Sequence, residues 1–230
     1  MNGDSIKVMV VEDQPPVLKN QLKILQEAPG IEVIGTALSG EAALTLLTRQ
    51  QPDVLLQDLG LPRMSGIDVT REVKRRWPHI EVLIFTIFDE EEKVLEAVRA
   101  GASGYLLKGA AGEKVIDAIR EVHAGGSVIQ PNLARSLLRH FRVSEDPTAV
   151  SQGATKHGIR DDTPARPLTE REVEILRLIG KGLSNSEAAG VLGVSRATVR
   201  THLEHIYQKL EVTNRVEAVT EGLRIGLIEV

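Results

Sequence analysis

Residues 54–62 have the sequence VLLQDLGLP, in which the apolar run 54–56 is followed by Gln57 and Asp58. A short and nearly continuous apolar run is typical of a parallel strand that helices cover on both faces. The first half of the chain has four similar runs, and amphipathic helical patterns fill the gaps between them. These runs span residues 6–11, 31–37, 82–85 and 105–107. The alternation predicts a doubly wound α/β domain with a five-stranded parallel sheet over residues 1–126.

The last quarter of the chain has purely helical patterns. Thr169 with Glu172, and Ser184 with Glu187, have the S/T-x-x-E spacing of a capping box, which marks the start of a helix. We predict four helices, at residues 170–181, 185–192, 196–211 and 214–225. They indicate a small all-α domain over residues 167–230 that contains a helix-turn-helix.

Residues 127–166 are predicted to link the two domains. An apolar pattern at about residues 131–142 predicts one short helix. The remainder is rich in proline and small polar residues, which predicts a flexible tether that has little to bury.

The chain of 230 residues has a net charge of -4 and no cysteine. The lack of cysteine excludes a disulfide framework and a thiolate metal site. Because no apolar run reaches membrane-spanning length, we expect a cytoplasmic protein with no membrane partner. The slightly acidic charge gives no overall attraction to nucleic acid, so any DNA contact has to come from a local patch.

Polar side chains follow four of the five predicted strands. These residues are Glu12, Asp13, Asp58, Thr86 and Lys108. Because the carboxyl ends of parallel strands meet at one edge of a sheet, we expect these side chains to converge. Three carboxylates suit Mg²⁺, and Asp58 would be a nucleophile towards phosphorus, with Lys108 and Thr86 holding phosphoryl oxygens. Each residue alone is more simply a helix cap or a turn residue, and only the joint pattern predicts chemistry.

Three stretches and Thr86 make the first half of the chain resemble a bacterial receiver domain. The stretches are VVED at 10–13, QDLGLP at 57–62 and YLLK at 105–108. The resemblance implies that Asp58 accepts a phosphoryl group from a sensor histidine kinase and that Lys108 and Thr86 bind it. It also implies that Tyr105 and Thr86 form a switch, with the aromatic ring moving inward as the hydroxyl follows the phosphoryl oxygens. As an alternative, Tyr105 is simply a core aromatic residue.

The same resemblance implies a Mg²⁺ ion in the acidic pocket. Asp13 and Asp58 are the implied direct ligands, together with the backbone carbonyl of Gly60. Glu12 is implied to assist through a water molecule.

Two residues depart from the receiver pattern. Gln57 stands where receivers usually have an apolar residue, and its amide needs a partner inside a covered strand. Ile87 follows Thr86 where Ala or Gly is usual. Its branched side chain at the rim of the pocket is expected to hinder an attacking water, which leads to the hypothesis of a slowly decaying phosphoaspartate.

The helix predicted at residues 196–211 presents Arg196, Arg200 and Thr201 on the face opposite its apolar stripe. The N-terminal half of the second helix enters the major groove in helix-turn-helix proteins, where arginine contacts guanine or phosphate. A solvated charged face is the plain alternative, since the chain from Pro167 onward has eight Lys/Arg and nine Glu. Glu204 lies four residues after Arg200 and is expected to orient it by an ion pair.

Residues 167–225 are similar to the LuxR-type DNA-binding domain of NarL/FixJ regulators. The similarity rests on LTERE at 168–172, GLSN at 182–185 and TVRTHL at 198–203. It implies a homodimer that forms on activation and binds paired half-sites in double-stranded operator DNA. Lys181 and Lys209 are further candidates for phosphate contact.

The last predicted helix has a segment that matches the dimer contact of relatives bound to DNA, although packing within the domain explains it equally well. The segment contains Asn214, Arg215, Val216 and Val219. His202 and His205 are interpreted as packing or phosphate-contacting residues, because no further metal ligand accompanies them in the sequence.

The sequence therefore predicts a transcriptional regulator gated by phosphorylation of Asp58. A phosphorylation-independent DNA-binding regulator, with the receiver as a dimerisation module, is the alternative. An aspartyl-phosphate phosphohydrolase is discounted, because Gly60 stands where such an enzyme carries a second acid and because that reading leaves the helical domain unexplained.

Overall fold

The computed structural model describes residues 5–129 and 167–228, and the predicted short helix and tether lie outside these residues. The strands are β1 (Ile6–Val11), β2 (Ile31–Ala37), β3 (Val54–Gln57), β4 (Glu81–Thr86), β5 (Gly104–Leu107) and β6 (Val128–Ile129). They form one sheet in the order β2-β1-β3-β4-β5-β6, and every neighbouring pair is parallel.

Helices cover both faces of this sheet. They are α1 (Pro15–Gln26), α2 (Gly40–Leu47), α3 (Gly66–Arg76), α4 (Glu91–Arg99) and α5 (Gly112–His123). Because successive side chains of a strand point to opposite faces, Leu55 packs with residues of α2, α3 and α4, whereas Leu56 packs with α1 and α5. The predicted fold class, a doubly wound parallel sheet, is confirmed.

The sheet has six strands, whereas the sequence predicts five. The additional strand, β6, pairs with Gly104 and Tyr105 of β5. It has only two residues and follows the double glycine at 125–126, so it carries no alternation that could distinguish it from a loop.

The second described range is helical, as predicted. Its helices are α6 (Glu170–Gly180), α7 (Asn185–Leu192), α8 (Arg196–Leu210) and α9 (Arg215–Arg224). Both predicted capping boxes are present, at Thr169 and Ser184, and Gly193 ends α7 in the left-handed conformation. Across residues 5–129 and 167–228, none of the helices combines the length and the apolar character that a membrane span needs.

Gly66 connects the packing of the sheet to the loop after Asp58. A Cβ atom at this position would lie 2.2 Å from the carbonyl oxygen of Asp58 and 2.7 Å from the Cα atom of Leu59. Both atoms belong to the backbone, so no side-chain rotation relieves the clash. Helix α3 therefore approaches the end of β3 this closely only with glycine as its first residue.

We predict that Gly66→Ala lowers the free energy of unfolding of the sheet domain by about 1 to 3 kcal/mol, the usual cost of forcing an extra methyl group into a packed site. Urea denaturation followed by circular dichroism measures this change. Gly112→Ala is the matched control, because its Cβ atom would meet only the side chain of Ile24, at 3.1 Å. Equal stability of the two variants would contradict the prediction.

Candidate functional site

An acidic cluster lies where two neighbouring strands end. Glu12 and Asp13 follow β1, Asp58 follows β3, and Val8–Val11 of β1 pair with β3. One carboxylate oxygen from each of the three residues lies within 4.8 Å of the others. The structure therefore brings together the three acids that the sequence predicts to converge.

Lys108, at the end of β5, reaches across to this cluster. Its Nζ atom lies 2.7 Å from Oδ2 of Asp58 and 2.6 Å from Oε2 of Glu12. Burial alone would lower the pKa of Lys108, but the hydrogen bonds to Asp58 and Glu12 outweigh burial and raise it. Lys108 is therefore a permanent cation beside the predicted nucleophile at neutral pH.

The acidic cluster has oxygen atoms left over for a cation. Asp13 Oδ1 is buried and has no hydrogen-bond partner among the described residues. Asp58 Oδ1, in contrast, accepts the backbone N–H of Leu59 at 2.7 Å. A set of carboxylate oxygens with an unpartnered buried member fits Mg²⁺, which prefers such hard donors. Gly60 follows Asp58 by two residues in an exposed part of the same loop.

The two predicted switch residues lie on adjacent strands. Thr86 is fully buried, and its hydroxyl oxygen has no hydrogen-bond partner among the described residues. Tyr105 is also fully buried, and its hydroxyl donates to the carbonyl of Phe88 at 2.8 Å. The ring of Tyr105 thus occupies the inward position in this structure. Ile87, between Thr86 and Phe88, is 69% exposed.

Gln57 has a partner that the sequence did not identify. Its side-chain amide donates to the carbonyl of Gly66 at 2.5 Å and to the hydroxyl of Thr70 at 2.9 Å, both in α3. Gln21 is a second residue that sequence reasoning missed, and its amide donates to Glu12 Oε2 at 3.0 Å. The available signal was a polar residue within the apolar stripe of α1. These amides fix α3 and α1 against the strand ends that carry the acids.

The predicted DNA-reading arginines of α8 contact the sheet domain. Arg200 donates to the backbone carbonyl of His79, and Arg196 Nη2 lies 3.1 Å from Nε2 of His123. Arg200 also lies 3.9 Å from Glu204, as the sequence predicts, and 3.9 Å from Glu81. Both arginines are therefore turned towards the receiver-like half of the chain.

Helix α9 makes a second set of contacts with that half. Asn214 donates to the carbonyl of Val98 at 2.6 Å, and Arg215 donates to the carbonyl of Gly125 at 3.0 Å. Val216 packs against the core of the sheet domain, whereas Val219 packs within the helical core. Three of the four predicted dimer residues therefore contact the other half of their own chain.

The remaining predicted DNA contacts lie away from this interface. Thr201 and Lys181 are exposed, and Lys209 forms an ion pair with Glu172 at 2.7 Å. A cavity of about 590 Å³ separates the two halves beside the contacts of α8 and α9.

Two family models match the chain in sequence. Residues 8–120 match the response regulator receiver domain, and residues 166–221 match the bacterial regulatory proteins of the luxR family. The first match contains the acidic cluster, Lys108 and Thr86, and the second contains the helix-turn-helix.

Proteins with both parts match the chain along nearly all of its length. The transcriptional regulatory protein DegU of Brevibacillus brevis is 33% identical, over 100% of this chain and 98% of its own. The oxygen regulatory protein NreC of Staphylococcus carnosus (strain TM300) is 36% identical, over 97% and 100%. Among solved structures, the response regulator ChrA of a heme-sensing two-component system is 35% identical and covers 98% of this chain and 100% of its own, with a TM-score of 0.51. The chain belongs to the NarL/FixJ-type response regulators, a family of two-component transcriptional regulators, not enzymes, that joins a receiver to a LuxR-type DNA-binding domain.

Proposed function

We propose that a sensor histidine kinase phosphorylates Asp58 and that this event releases α8 to bind operator DNA. One observation carries the proposal. Arg196 and Arg200, the candidate DNA-reading residues, are hydrogen-bonded to the receiver of their own chain. The receiver and DNA would compete for the same guanidinium groups, so a change in the receiver would change DNA affinity.

In the proposed transfer, a carboxylate oxygen of Asp58 forms a bond to phosphorus as the bond between phosphorus and the kinase histidine breaks. Lys108 already lies 2.7 Å from Asp58 and would stabilise the negative charge of the transferred group. The Thr86 hydroxyl, which has no partner among the described residues, would donate to a phosphoryl oxygen.

Receivers typically hold Mg²⁺ in this pocket, and the donor set described above fits the ion. We propose Asp13, Asp58 and the Gly60 carbonyl as its direct ligands, with Glu12 assisting through water. The ion would supply positive charge that offsets the negative charge of the phosphoryl oxygens.

One segment connects the pocket to the interface between the domains. Thr86 ends β4, and the Phe88 carbonyl two residues later holds the hydroxyl of Tyr105. Helix α4 begins directly after this loop and carries Val98, whose carbonyl accepts from Asn214, the N-cap of α9. Movement of Thr86 towards a phosphoryl group would therefore displace the loop and helix on which the DNA-binding domain rests.

After release, Arg196, Arg200 and Thr201 would contact operator DNA, with Lys181 and Lys209 on the phosphates. The dimer would use the surface of α9 that the receiver covers in this structure. Asn214, Arg215 and Val216 lie on this surface, and Val219, which packs within the helical core, is the fourth residue of the proposed dimer contact. We place this action in the cytoplasm, where a regulator of this family meets both its kinase and DNA.

We predict that acetyl phosphate with Mg²⁺ phosphorylates the wild-type chain and raises its affinity for a selected DNA fragment by roughly tenfold or more, which equals ~1.4 kcal/mol. Asp58→Asn should acquire no phosphoryl group and no added affinity. Mass spectrometry measures phosphorylation, sedimentation measures dimerisation, and a DNA-binding titration measures affinity. Asp117→Asn, at an exposed acid of α5 outside the pocket, is the control. If Asp58→Asn dimerises and binds DNA as well as the treated wild type does, the receiver is a phosphorylation-independent module.

We predict that Ile87→Ala shortens the lifetime of the phosphorylated protein at least several-fold, because the smaller side chain lets water approach phosphorus. Loss of the phosphoryl group over time in Mg²⁺ buffer is the measurement. Leu38→Ala, which trims another exposed apolar side chain in a different loop, should leave the rate unchanged. An unchanged lifetime in Ile87→Ala would rule out shielding by this residue.

The contact between the domains should also depend on pH. The pKa of His123 is lowered, first by burial and then by the charges of Arg196 and Arg200. The charges of Asp53 and Glu81 oppose this shift. The pKa of His79, which lies beside Arg200, is lowered as well, mainly by burial. The released state then binds more protons, so the contact is fully stable above about pH 6.5 and weakens as the pH falls below that value.

We predict a larger radius of gyration by small-angle X-ray scattering at pH 5.5 than at pH 7.5. His123→Gln should reduce this expansion, because the side chain beside Arg196 no longer titrates. His205→Asn removes a histidine outside the contact and should retain the wild-type response. A pH response of equal size in wild type and His123→Gln would exclude His123 as the source.

A further inference from the structure

Two histidines of α8 lie beside a carboxylate of α6. A ring nitrogen from each of His202 and His205 and one oxygen of Glu172 all lie within 4.8 Å of one another. Sequence spacing alone hides this cluster, because Glu172 precedes His202 by thirty residues. Packing of Leu176 against Leu203 in the helical core brings the two helices together.

The cluster lies on the flank of α8 that faces away from the receiver. His202 and His205 are three residues apart and therefore share one side of the helix, next to the buried stripe that contains Leu203 and Ile206. Arg196 contacts the receiver from the opposite side of that stripe. His205 is exposed and His202 is half-buried, so an ion can reach the cluster from solvent in the closed arrangement.

Glu172 is prepared to act as a ligand. It is only 3% exposed, and its carboxylate is held by the backbone and hydroxyl of Thr169 and by Lys209. In the described part of the chain, every one of these hydrogen bonds uses the Oε2 atom. The Oε1 atom is therefore left for another partner, on a carboxylate whose position the capping box already fixes.

We propose that Glu172, His202 and His205 form a binding site for a divalent ion of the zinc class, with water completing the coordination. Two imidazole nitrogens and one carboxylate oxygen are a donor set that favours zinc over Mg²⁺. The all-oxygen cluster of the receiver has the opposite preference. A bound ion would link α6 to α8 across the helix-turn-helix, which goes beyond the phosphorylation switch and does not depend on it.

A substitution of Lys209 can distinguish metal binding by the histidines from a purely structural role of their side chains. Its ammonium lies 2.7 Å from the Glu172 carboxylate and would repel an incoming cation. Neutralising this lysine should tighten metal binding several-fold, whereas removing a ligand should weaken it at least tenfold.

We would titrate the full chain with Zn²⁺ by equilibrium dialysis, with excess Mg²⁺ present to occupy the receiver pocket. Co²⁺ absorption would report imidazole ligation. Wild type should bind one more Zn²⁺ ion with high affinity than His205→Asn does, and Zn²⁺ should raise the melting temperature of wild type but not that of His205→Asn. Lys209→Gln should bind more tightly than wild type. His202→Asn repeats the ligand test, and Glu170→Gln removes an exposed carboxylate of the same helix as a control.

Equal stoichiometry and affinity in wild type and both histidine variants would overturn the proposal, because the ion would then occupy another part of the chain. Weaker binding by Lys209→Gln would remove Glu172 from the ligand set. Glu172 itself is left unchanged, since its capping box supports the start of α6.

Discussion

Three carboxylates at one edge of the sheet repel one another, and the ammonium of Lys108 is the charge that offsets this repulsion in the structure. It contacts Asp58 and Glu12 at once, at 2.7 and 2.6 Å. A metal ion that entered the pocket would reduce the repulsion between the carboxylates further. The strand order creates this arrangement, because β1 and β3 are neighbours whose carboxyl ends carry the acids. The chemistry of the receiver thus follows from its topology.

The interface between the domains uses backbone carbonyls as acceptors for side chains of the DNA-binding domain. The side chains of Arg200, Asn214 and Arg215 donate hydrogen bonds in this way. Their acceptors are the backbone carbonyls of His79, Val98 and Gly125, respectively. Neutral acceptors hold these side chains, and the ion pair of Arg200 with Glu81 across the interface is long, at 3.9 Å, and partly exposed. Such contacts are well suited to being exchanged for DNA phosphates, which carry full negative charge. A modest displacement of α4 would then be sufficient to shift the equilibrium from contact with the receiver to contact with DNA.

The sequence predicts much of the fold because apolar strand runs and capping boxes are local patterns. The bounds of β1 and β2 match the structure at every residue, and both capping boxes occur as predicted. The four acidic and basic groups of the pocket could be placed, because strand ends define their positions. The roles of the site residues stay predictions, as does the assignment of residues 127–166 to a linker.

What the sequence could not provide depends on contacts between distant segments. The partners of Gln57 are set by the close approach of α3 at Gly66, which no local pattern encodes. The contact of Asn214 with Val98 joins residues 116 positions apart. For the same reason His202 and His205 look isolated in sequence, although Glu172 lies beside them in the folded domain. Tertiary packing, which local periodicity does not report, decides all three.

We propose that the state of Asp58 controls the contact between the two domains. The chain has no cysteine, so cysteines introduced at the exposed positions Lys114 and Val191 can carry a donor and an acceptor dye. Energy transfer is then measured before and after addition of Mg²⁺ and beryllofluoride, which mimics a phosphoryl group on aspartate. The distance between the dyes should increase in the wild-type background and stay constant with Asp58→Asn. An unchanged distance in the wild-type background, in protein shown to bind beryllofluoride, would contradict control by Asp58.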